Sequence, residues 1–272
     1  MISSAVTISL IPEARGGPFV FSDSLAEGCR AAGELGFDAV ELFPPSQDVI
    51  EAEQVKPLLE QYDLKVAAVG TGAGWLRHQF TLTNFDRAKR DQSREFARTI
   101  IDAAGALGAP VIVGSMQGRW GSGVEREEAF YYLGTALAGL SNYAFEKYGV
   151  PLIYEPLNRY ETNMCNSVAQ GVEFLAAHGL KHVVLLADLF HMNIEESNLA
   201  ASLVAGAPHI GHVHFADSNR RSIGSGHTSI PPIADALRQI NYSGYVSAEC
   251  LPFPDPHEAA RMTIGAFRKF FR

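Results

Sequence analysis

A carboxylate at the end of a buried strand is the first chemical signal in the sequence. The apolar run Val183–Ala187 leads directly into Asp188. A short apolar run of this kind predicts a strand that is buried on both faces. A carboxylate buried there without a partner would destabilise the fold or shift its pKa until it became neutral. We therefore expect Asp188 to meet a metal ion or another cation, with a helix cap as the alternative interpretation.

Three other apolar runs end in the same way. One ends in Glu155, another in His214 and a third in Glu249. The four residues are separated by intervals of about 30 residues, the length of one strand–helix–strand unit. Four successive parallel strands would thus carry Glu, Asp, His and Glu at equivalent ends. This arrangement predicts a site at the C-terminal face of a β/α barrel.

Three carboxylates and one imidazole form a ligand set of hard oxygen donors and one nitrogen. Such a set favours Mn²⁺, with Mg²⁺, Co²⁺ or Zn²⁺ as alternatives. An ion bound by four protein ligands leaves room for the carbonyl and adjacent hydroxyl of a hydroxy-ketone. The ion would stabilise the enediolate that forms when the neighbouring C–H proton leaves. Glu155 and Glu249 could flank that carbon, one removing the proton and the other returning it on the opposite face. The expected result is epimerisation, whereas a proton returned to the other carbon gives aldose–ketose isomerisation.

The elements that would position these residues fit a single barrel. The chain has 272 residues, of which 47% are hydrophobic. One (β/α)8 barrel takes about 250 residues, so residues 1–272 are predicted to form one TIM-barrel domain of eight strands alternating with eight helices. The glycine-rich segment 70–74 is expected to open a long loop after the third strand.

Composition excludes several classes of protein. The net charge of −8 argues against nucleic-acid binding, which favours a basic face. The three cysteines form no CxxC pair, which predicts an intracellular, cytoplasmic protein without a disulfide framework. No signal peptide and no apolar run of about 18 residues is found, so no membrane association is expected.

The motifs around the four residues resemble the xylose-isomerase-like barrel superfamily. They occupy segments 155–161, 188–196, 212–220 and 246–250. The most similar branch is that of the ketose 3-epimerases typified by D-tagatose 3-epimerase. Within this branch, segments 68–72 and 249–252 are most similar to 5-keto-L-gluconate epimerase. The resemblance covers almost the whole chain and implies a homodimer or homotetramer that acts on a small keto-sugar or keto-sugar acid.

The resemblance also implies a role for each site residue. The expected metal ligands are Glu155, Asp188, His214 and Glu249, and the expected proton-transfer residues are Glu155 and Glu249. The residues expected to contact substrate oxygens around the carbonyl are Glu161, His191 and Arg220. The branch usually has Pro-Gly-x-Gly after the arginine, whereas segment 223–226 lacks the proline. We therefore expect a looser loop there.

The remaining candidates lie in loops at the same face. Trp75 and Trp120 are expected to line the substrate pocket. Arg119, in the glycine-rich loop after the fourth strand, could pair with a substrate carboxylate because a guanidinium forms strong bidentate bonds. His212 is expected to be a hydrogen-bonded core residue. Arg15, like His78, is expected to be a solvated loop residue.

Two other enzymatic functions are compatible with parts of this pattern. A hydroxypyruvate-type isomerase would use the same two glutamates, and the stereochemistry of the product would distinguish it. An endonuclease IV-like nuclease shares the barrel but needs further histidine ligands on earlier strands, where this chain has glycine, threonine and serine. A sugar-binding protein without catalysis would not need the complete ligand set. The sequence therefore predicts a metal-dependent sugar epimerase of the isomerase class.

Overall fold

The computed structural model describes residues 1–22 and 24–272. Eight parallel strands form a closed barrel because the last strand pairs with the first. The barrel strands are β1 (Ser3–Ser9), β2 (Ala39–Phe43), β3 (Lys65–Gly70), β4 (Val111–Val113), β5 (Leu152–Tyr154), β6 (Val183–Asp188), β7 (Ile210–His214) and β8 (Tyr245–Ala248). A further two-residue strand, Phe21–Ser22, pairs with the end of β1. The predicted (β/α)8 barrel is confirmed.

Helices surround the barrel and connect consecutive strands. The described residues form ten α-helices: α1 (Leu25–Leu35), α2 (Ala52–Gln61), α3 (Gly72–His78), α4 (Arg87–Ala106), α5 (Arg126–Tyr148), α6 (Val168–Ala177), α7 (Leu189–Glu195), α8 (Leu199–Ala205), α9 (Ile230–Gln239) and α10 (Pro256–Phe271). Two connections, after β3 and after β6, contain an extra short helix, which explains the difference from the predicted eight. None of the helices described is long and apolar enough to cross a membrane.

The expected loop after β3 is instead helix α3. One of its glycines, Gly74, serves close packing rather than an irregular backbone. A Cβ atom at Gly74 would lie 2.4 Å from the sulfur of Met116 and 2.9 Å from the ring of Phe96. Gly74 is therefore required because α3 packs directly on the neighbouring elements, and the helix places Trp75 at the C-terminal face of the barrel.

Burial on both faces of the strands explains their apolar runs, such as the one that leads into Asp188. Inside the barrel, a small cluster is formed by Ala68, Ile112, Ile153 and Leu186. The outward-facing strand residues pack against the helices in one large core. The four predicted metal ligands lie at or directly after the C-terminal ends of strands β5 to β8.

Candidate active site

The four strand-end residues converge at one point of the barrel. Glu155 directly follows β5, Asp188 ends β6, His214 ends β7 and Glu249 directly follows β8. One possible ligand atom from each residue lies within 4.8 Å of the corresponding atoms of the other three. All four side chains are buried. The spacing of strand–helix units therefore places side chains that are distant in sequence into a single cluster.

The donor atoms of this cluster fit a divalent metal ion. His214 Nδ1 lies 3.2 Å from Asp188 Oδ2, 3.6 Å from Glu155 Oε1 and 3.3 Å from Glu249 Oε2. Three buried carboxylates this close repel one another unless positive charge lies among them. Oxygen donors with one imidazole are the ligands that Mn²⁺, Mg²⁺ and Co²⁺ bind in proteins. The negative charge of the cluster and its donor atoms both suit a divalent cation, so the cluster is a candidate metal centre.

Asp188 uses its two carboxylate oxygens for two different purposes. Oδ1 accepts hydrogen bonds from the backbone N–H groups of Phe190 at 2.7 Å and His191 at 3.3 Å, so it caps α7. Oδ2 faces the site. Burial alone would raise the pKa of Asp188, but the Arg220 guanidinium and the imidazoles of His191 and His214 hold it well below its usual range. The helix-cap and cation-site interpretations of Asp188 are therefore compatible.

Glu41 is a buried residue that the sequence analysis missed. It lies on β2, and its Oε1 is 2.9 Å from His214 Nε2 while its Oε2 is 2.6 Å from His212 Nε2. Because His214 donates its Nε2–H to Glu41, its Nδ1 is the nitrogen that faces the cluster. His212 is buried and hydrogen-bonded, as expected.

Glu41 interacts electrostatically with the imidazoles of both His212 and His214. Burial would raise the pKa of Glu41, but His214 and His212 together hold it well below its usual range. Burial lowers the pKa of His214, whereas Glu249 and Glu41 raise it, and the net result lies well above the ordinary value. A cation at His214 Nδ1 needs the neutral ring and would therefore compete with a proton for this nitrogen.

Glu155 favours the protonated form more than an ordinary glutamate does. Burial is the largest cause and raises its pKa well above the usual range. His214 opposes this increase, while the neighbouring carboxylates of Glu249 and Asp188 add to it. A carboxyl group with a raised pKa inside a cleft is typical of acid–base catalysis.

Asn158 connects His191 to Glu161. Its side-chain amide nitrogen lies 2.7 Å from His191 Nδ1 and donates to Glu161 Oε1 at 2.9 Å. Since Nδ1 accepts this bond, His191 Nε2 carries the ring proton and points toward Glu155 Oε1 at 3.8 Å and Asp188 Oδ2 at 3.7 Å. Burial lowers the pKa of His191, which favours this neutral form. No sequence pattern assigned a role to Asn158.

Arg220 lies over two of the four converging residues. Its Nη1 donates to Asp188 Oδ2 at 2.7 Å, and its Nη2 donates to Glu249 Oε2. The guanidinium carbon lies 4.7 Å from the centre of the Phe190 ring. The backbone of Arg220 has a φ of 61°, a left-handed conformation that costs energy for a non-glycine residue. The fold thus holds this side chain at the site despite local strain.

The loop after β7 is tied to the carboxylate of Asp217 and is not left loose by its missing proline. Oδ2 accepts from the backbone N–H groups of Gly224 at 2.8 Å and Gly226 at 2.9 Å, and Oδ1 accepts from those of Ser218 at 2.7 Å and Thr228 at 2.9 Å. Four hydrogen bonds to one buried carboxylate fix the loop that carries Arg220. The expectation of a looser loop did not account for this acceptor.

A cavity of about 420 Å³ opens over the cluster, and we call it the catalytic cavity. The candidate residues that line it are Glu155, Glu161, His191, Arg220, Glu249 and Trp75. Arg15 also lines this cavity, so its prediction as a solvated loop residue was incomplete. His78 lies in the last turn of α3 and is exposed.

Arg119 lies in a second, adjoining cavity of about 560 Å³, which we call the outer cavity. Its Nη1 donates to the backbone oxygen of Tyr160 at 3.4 Å. Trp120 also lines the outer cavity. Four residues line both cavities: Trp75, Ser115, Leu157 and Glu161. Arg119 is therefore separated from the four converging residues and can reach only a distant part of a bound molecule.

Comparison with known proteins places this chain in one family. Residues 29–270 match the xylose isomerase-like TIM barrel family, and the chain belongs to it. It is 30% identical over 260 residues to 3-dehydro-D-guloside 4-epimerase of Escherichia coli, covering 91% of this chain and 95% of that protein. It is 31% identical over 235 residues to L-ribulose 3-epimerase of a Methylomonas species, covering 84% of this chain and 80% of that protein.

Solved structures agree with the sequence relatives. The crystal structure of the 3-keto-D-glucoside 4-epimerase from E. coli superposes with a TM-score of 0.80 at 25% identity, covering 98% of this chain and 99% of that chain. The D-allulose 3-epimerase from Methylomonas, in complex with D-allulose, gives the same TM-score and identity, covering 99% of this chain and 100% of that chain. The protein is accordingly an isomerase-class enzyme, and its relatives support sugar epimerase activity.

Proposed function

We propose that the protein is a divalent-metal-dependent epimerase that inverts the carbon next to the carbonyl of a ketose or keto-sugar acid. One observation carries this proposal. Glu155 and Glu249 come from strands separated by two others, yet their carboxylates converge within 4.8 Å together with Asp188 and His214. Two carboxyl groups beside one candidate metal centre are what a proton removal and a proton return require.

The four converging residues would hold the ion, with Mn²⁺ as the preferred metal. A bound divalent ion supplies positive charge that polarises a carbonyl and favours loss of the neighbouring proton. The chain's own contribution is to orient these residues. Asp188 is fixed by its bonds to the start of α7, and His214 is fixed by Glu41.

Proton transfer by the two glutamates then inverts the carbon. One ionised glutamate takes the proton from carbon, and the C–H electron pair forms the double bond of an enediolate as the carbonyl oxygen gains charge. The other glutamate, which is protonated, donates its proton to the opposite face of the same carbon, and the carbonyl re-forms. Each glutamate ends in the protonation state that the other had at the start. The raised pKa of Glu155 suits it to carry the proton near neutral pH.

Three further residues are proposed to bind the substrate. His191 presents its Nε2–H to the catalytic cavity, and Arg220 presents its guanidinium. Both are donors for substrate oxygens around the carbonyl. Glu161 is an acceptor for a substrate hydroxyl and is held by Asn158. These groups would orient the carbon between the two glutamates.

Some features of the proposal are finer than what the relatives support. Four features stay predictions: the similarity of two segments to 5-keto-L-gluconate epimerase, the choice of Mn²⁺, a cytoplasmic location, and a homodimer or homotetramer. One relative is named for a guloside and the other for a free ketose. These names do not decide between a ketose and a keto-sugar acid as the substrate. Arg119 is the proposed anchor for a substrate carboxylate.

The reaction in deuterated water tests the proposed function. We expect the enzyme loaded with Mn²⁺ to convert a ketose such as D-tagatose into the epimer at the carbon beside its carbonyl. The product should contain one deuterium at that carbon, because the returning proton comes from a glutamate that exchanges with solvent. Proton and deuterium NMR of the product would show this. A product with the carbonyl moved and deuterium on the former carbonyl carbon would indicate the isomerase instead.

A further inference from the structure

We propose that the substrate carries a second ring and that this ring binds in the outer cavity. The proposal rests on the proposed function, because it names what the same site accepts. The outer cavity adjoins the catalytic cavity and shares Trp75 and Glu161 with it. A sugar held at the two glutamates would therefore direct any substituent on its far side into the outer cavity.

Exposed aromatic side chains line the outer cavity. Phe85 is 67% exposed, Tyr160 is 76% exposed, and Trp75 and Trp120 are each 39% exposed. Four large aromatic side chains left in water around one cavity form the kind of patch that marks a binding site. The C–H faces of a pyranose ring are apolar and pack on aromatic rings, while its hydroxyl groups stay at the edge. A second sugar ring thus matches this lining.

Trp120 is held in place before any ligand arrives. Its indole Nε1 donates to the backbone oxygen of Asn163 at 2.7 Å, and its backbone N–H donates to Asn163 Oδ1 at 2.9 Å. The side-chain amide of Asn163 donates back to the Trp120 backbone oxygen at 3.0 Å. An aromatic surface that is already ordered loses little entropy on binding, so it strengthens the complex.

The polar lining of the outer cavity favours a ring with hydroxyl groups, with Arg119 as its one positive charge. Its two charged lining residues, Arg119 and Glu161, have opposite signs. Its small uncharged polar side chains are Thr81, Thr83, Asn84, Ser115 and Ser122. A phosphate group would require more positive charge than this cavity presents. A keto-sugar joined by a glycosidic bond to a second sugar is therefore the substrate class we infer.

A pair of substrates that differ by one ring provides the test. The first is methyl 3-keto-β-D-glucoside, and the second is the 3-keto derivative of cellobiose, with the keto group on the non-reducing ring. We expect kcat/KM to be about tenfold or more higher for the disaccharide. Each variant removes one aromatic contact, so Phe85→Ala and Tyr160→Ala should each reduce this preference by about three- to tenfold.

Tyr131→Ala is the matched control. Tyr131 is 63% exposed but lies on α5 and lines neither cavity, so this variant should keep the wild-type preference. Equal kcat/KM values for the two substrates in the wild type would overturn the proposal. A preference that survives the double variant Phe85→Ala/Tyr160→Ala would overturn it as well. Equal losses of kcat/KM on both substrates in these variants, together with a changed oligomeric state in light scattering, would also overturn the proposal. The side chains of Phe85 and Tyr160 would then contact a second copy of the chain.

Binding can be measured without turnover. The chain has two tryptophans, and both line the outer cavity. Cellobiose itself, which has no keto group, should therefore change the intrinsic tryptophan fluorescence in a saturable way, and the double variant should bind it about tenfold more weakly. Saturable binding with no epimerisation of either keto substrate would support the outer site and contradict the proposed function. Absence of a saturable change with active epimerisation would contradict the outer site alone.

Discussion

Glu41 Oε1 lies 2.9 Å from His214 Nε2, although the two residues are 173 positions apart in the chain. This bond selects the tautomer of His214 and fixes the plane of its ring. The other oxygen of Glu41 is engaged by His212, so the carboxylate cannot rotate away without breaking a second bond. The first half of the barrel thereby orients a candidate metal ligand on the second half.

Glu41→Gln should weaken metal binding while the protein still folds. The amide preserves the shape of the side chain but removes the charge that supports both imidazoles. Loss of such a supporting group typically lowers metal affinity by about 10- to 100-fold. Titration of the chelator-treated protein with Mn²⁺ in a calorimeter would measure this change, with circular dichroism as the check on folding. Glu60→Gln, at an exposed position of α2, is the control, and an unchanged affinity in Glu41→Gln would contradict the role given to Glu41.

Glu155→Gln and Glu249→Gln should each abolish epimerisation while keeping the shape of the site. Removal of a general base typically lowers the rate by about 10²–10⁴. The remaining glutamate still faces one side of the substrate carbon, so each variant should exchange deuterium into only one of the two epimers. NMR of both epimers in deuterated water would detect this difference.

The metal content of the same samples separates two causes of inactivity. A variant that retains the ion and loses turnover has lost proton transfer. Turnover near the wild-type rate in either variant would refute the mechanism with two glutamates. Glu258→Gln, on α10 and outside both cavities, is a suitable control for the substitution itself.

Chelation should inactivate the enzyme, and Mn²⁺ or Co²⁺ should restore it better than Ca²⁺. Ca²⁺ prefers six to eight oxygen ligands at longer distances than three carboxylates and one imidazole offer. Initial rates after dialysis against a chelator and addition of each ion would provide the comparison. Full activity in protein shown by elemental analysis to lack metal would exclude the proposed centre.

The barrel could be predicted because several strands contain a short apolar run that is buried on both faces. The strand from Val183 to Asp188 shows this pattern clearly. Helices α3 and α7 could not be predicted in the same way. Helix α3 begins in a glycine-rich segment and α7 begins directly at the end of β6, so no separate apolar period marks either of them. Tertiary contacts decide their conformation, as the fit of Gly74 against Met116 shows.

The candidate site was predictable where a residue ends a strand and hidden where it does not. Asp188 and His214 each follow an apolar run, and the regular spacing of the strands brings them together. Glu41 lies in the middle of a strand, and nothing in the neighbouring sequence distinguishes it from an exposed glutamate. Its role depends on two histidines from the opposite half of the chain. Arg15 is an exposed loop residue as expected, and its position over the catalytic cavity was hidden for the same reason, because only the folded chain places its loop there.

Asp217→Asn should destabilise the fold by about 1–3 kcal/mol at pH 7, since backbone N–H groups would lose their charged acceptor. Burial raises the pKa of Asp217, but the N–H groups of Thr228, Gly226, Ser218 and Gly224 together lower it below its usual value. This contribution to stability is complete above the unfolded-state pKa of about 3.9 and is lost as the pH falls through the folded-state value.

Urea denaturation of wild type and Asp217→Asn across a pH series measures this effect. The difference in the free energy of unfolding should be constant from about pH 6 to 8 and should shrink below about pH 4. Asp235→Asn, at an exposed position of α9, should change stability little at any pH. A difference between wild type and Asp217→Asn that does not vary with pH would show that the carboxylate charge is not what holds the loop.

Arg119→Ala should discriminate between acidic and neutral substrates. The guanidinium lies in the outer cavity, beyond Trp75 and Glu161, where it can pair with a carboxylate at the far end of a bound sugar. Hydrogen bonds to charged groups contribute about 1.5–3 kcal/mol, and we expect the lower value because Arg119 is exposed. The variant should therefore lose about tenfold in kcat/KM on 5-keto-L-gluconate and much less on D-tagatose. Equal losses on both substrates, or no loss on either, would remove Arg119 from substrate recognition and favour a neutral keto-sugar.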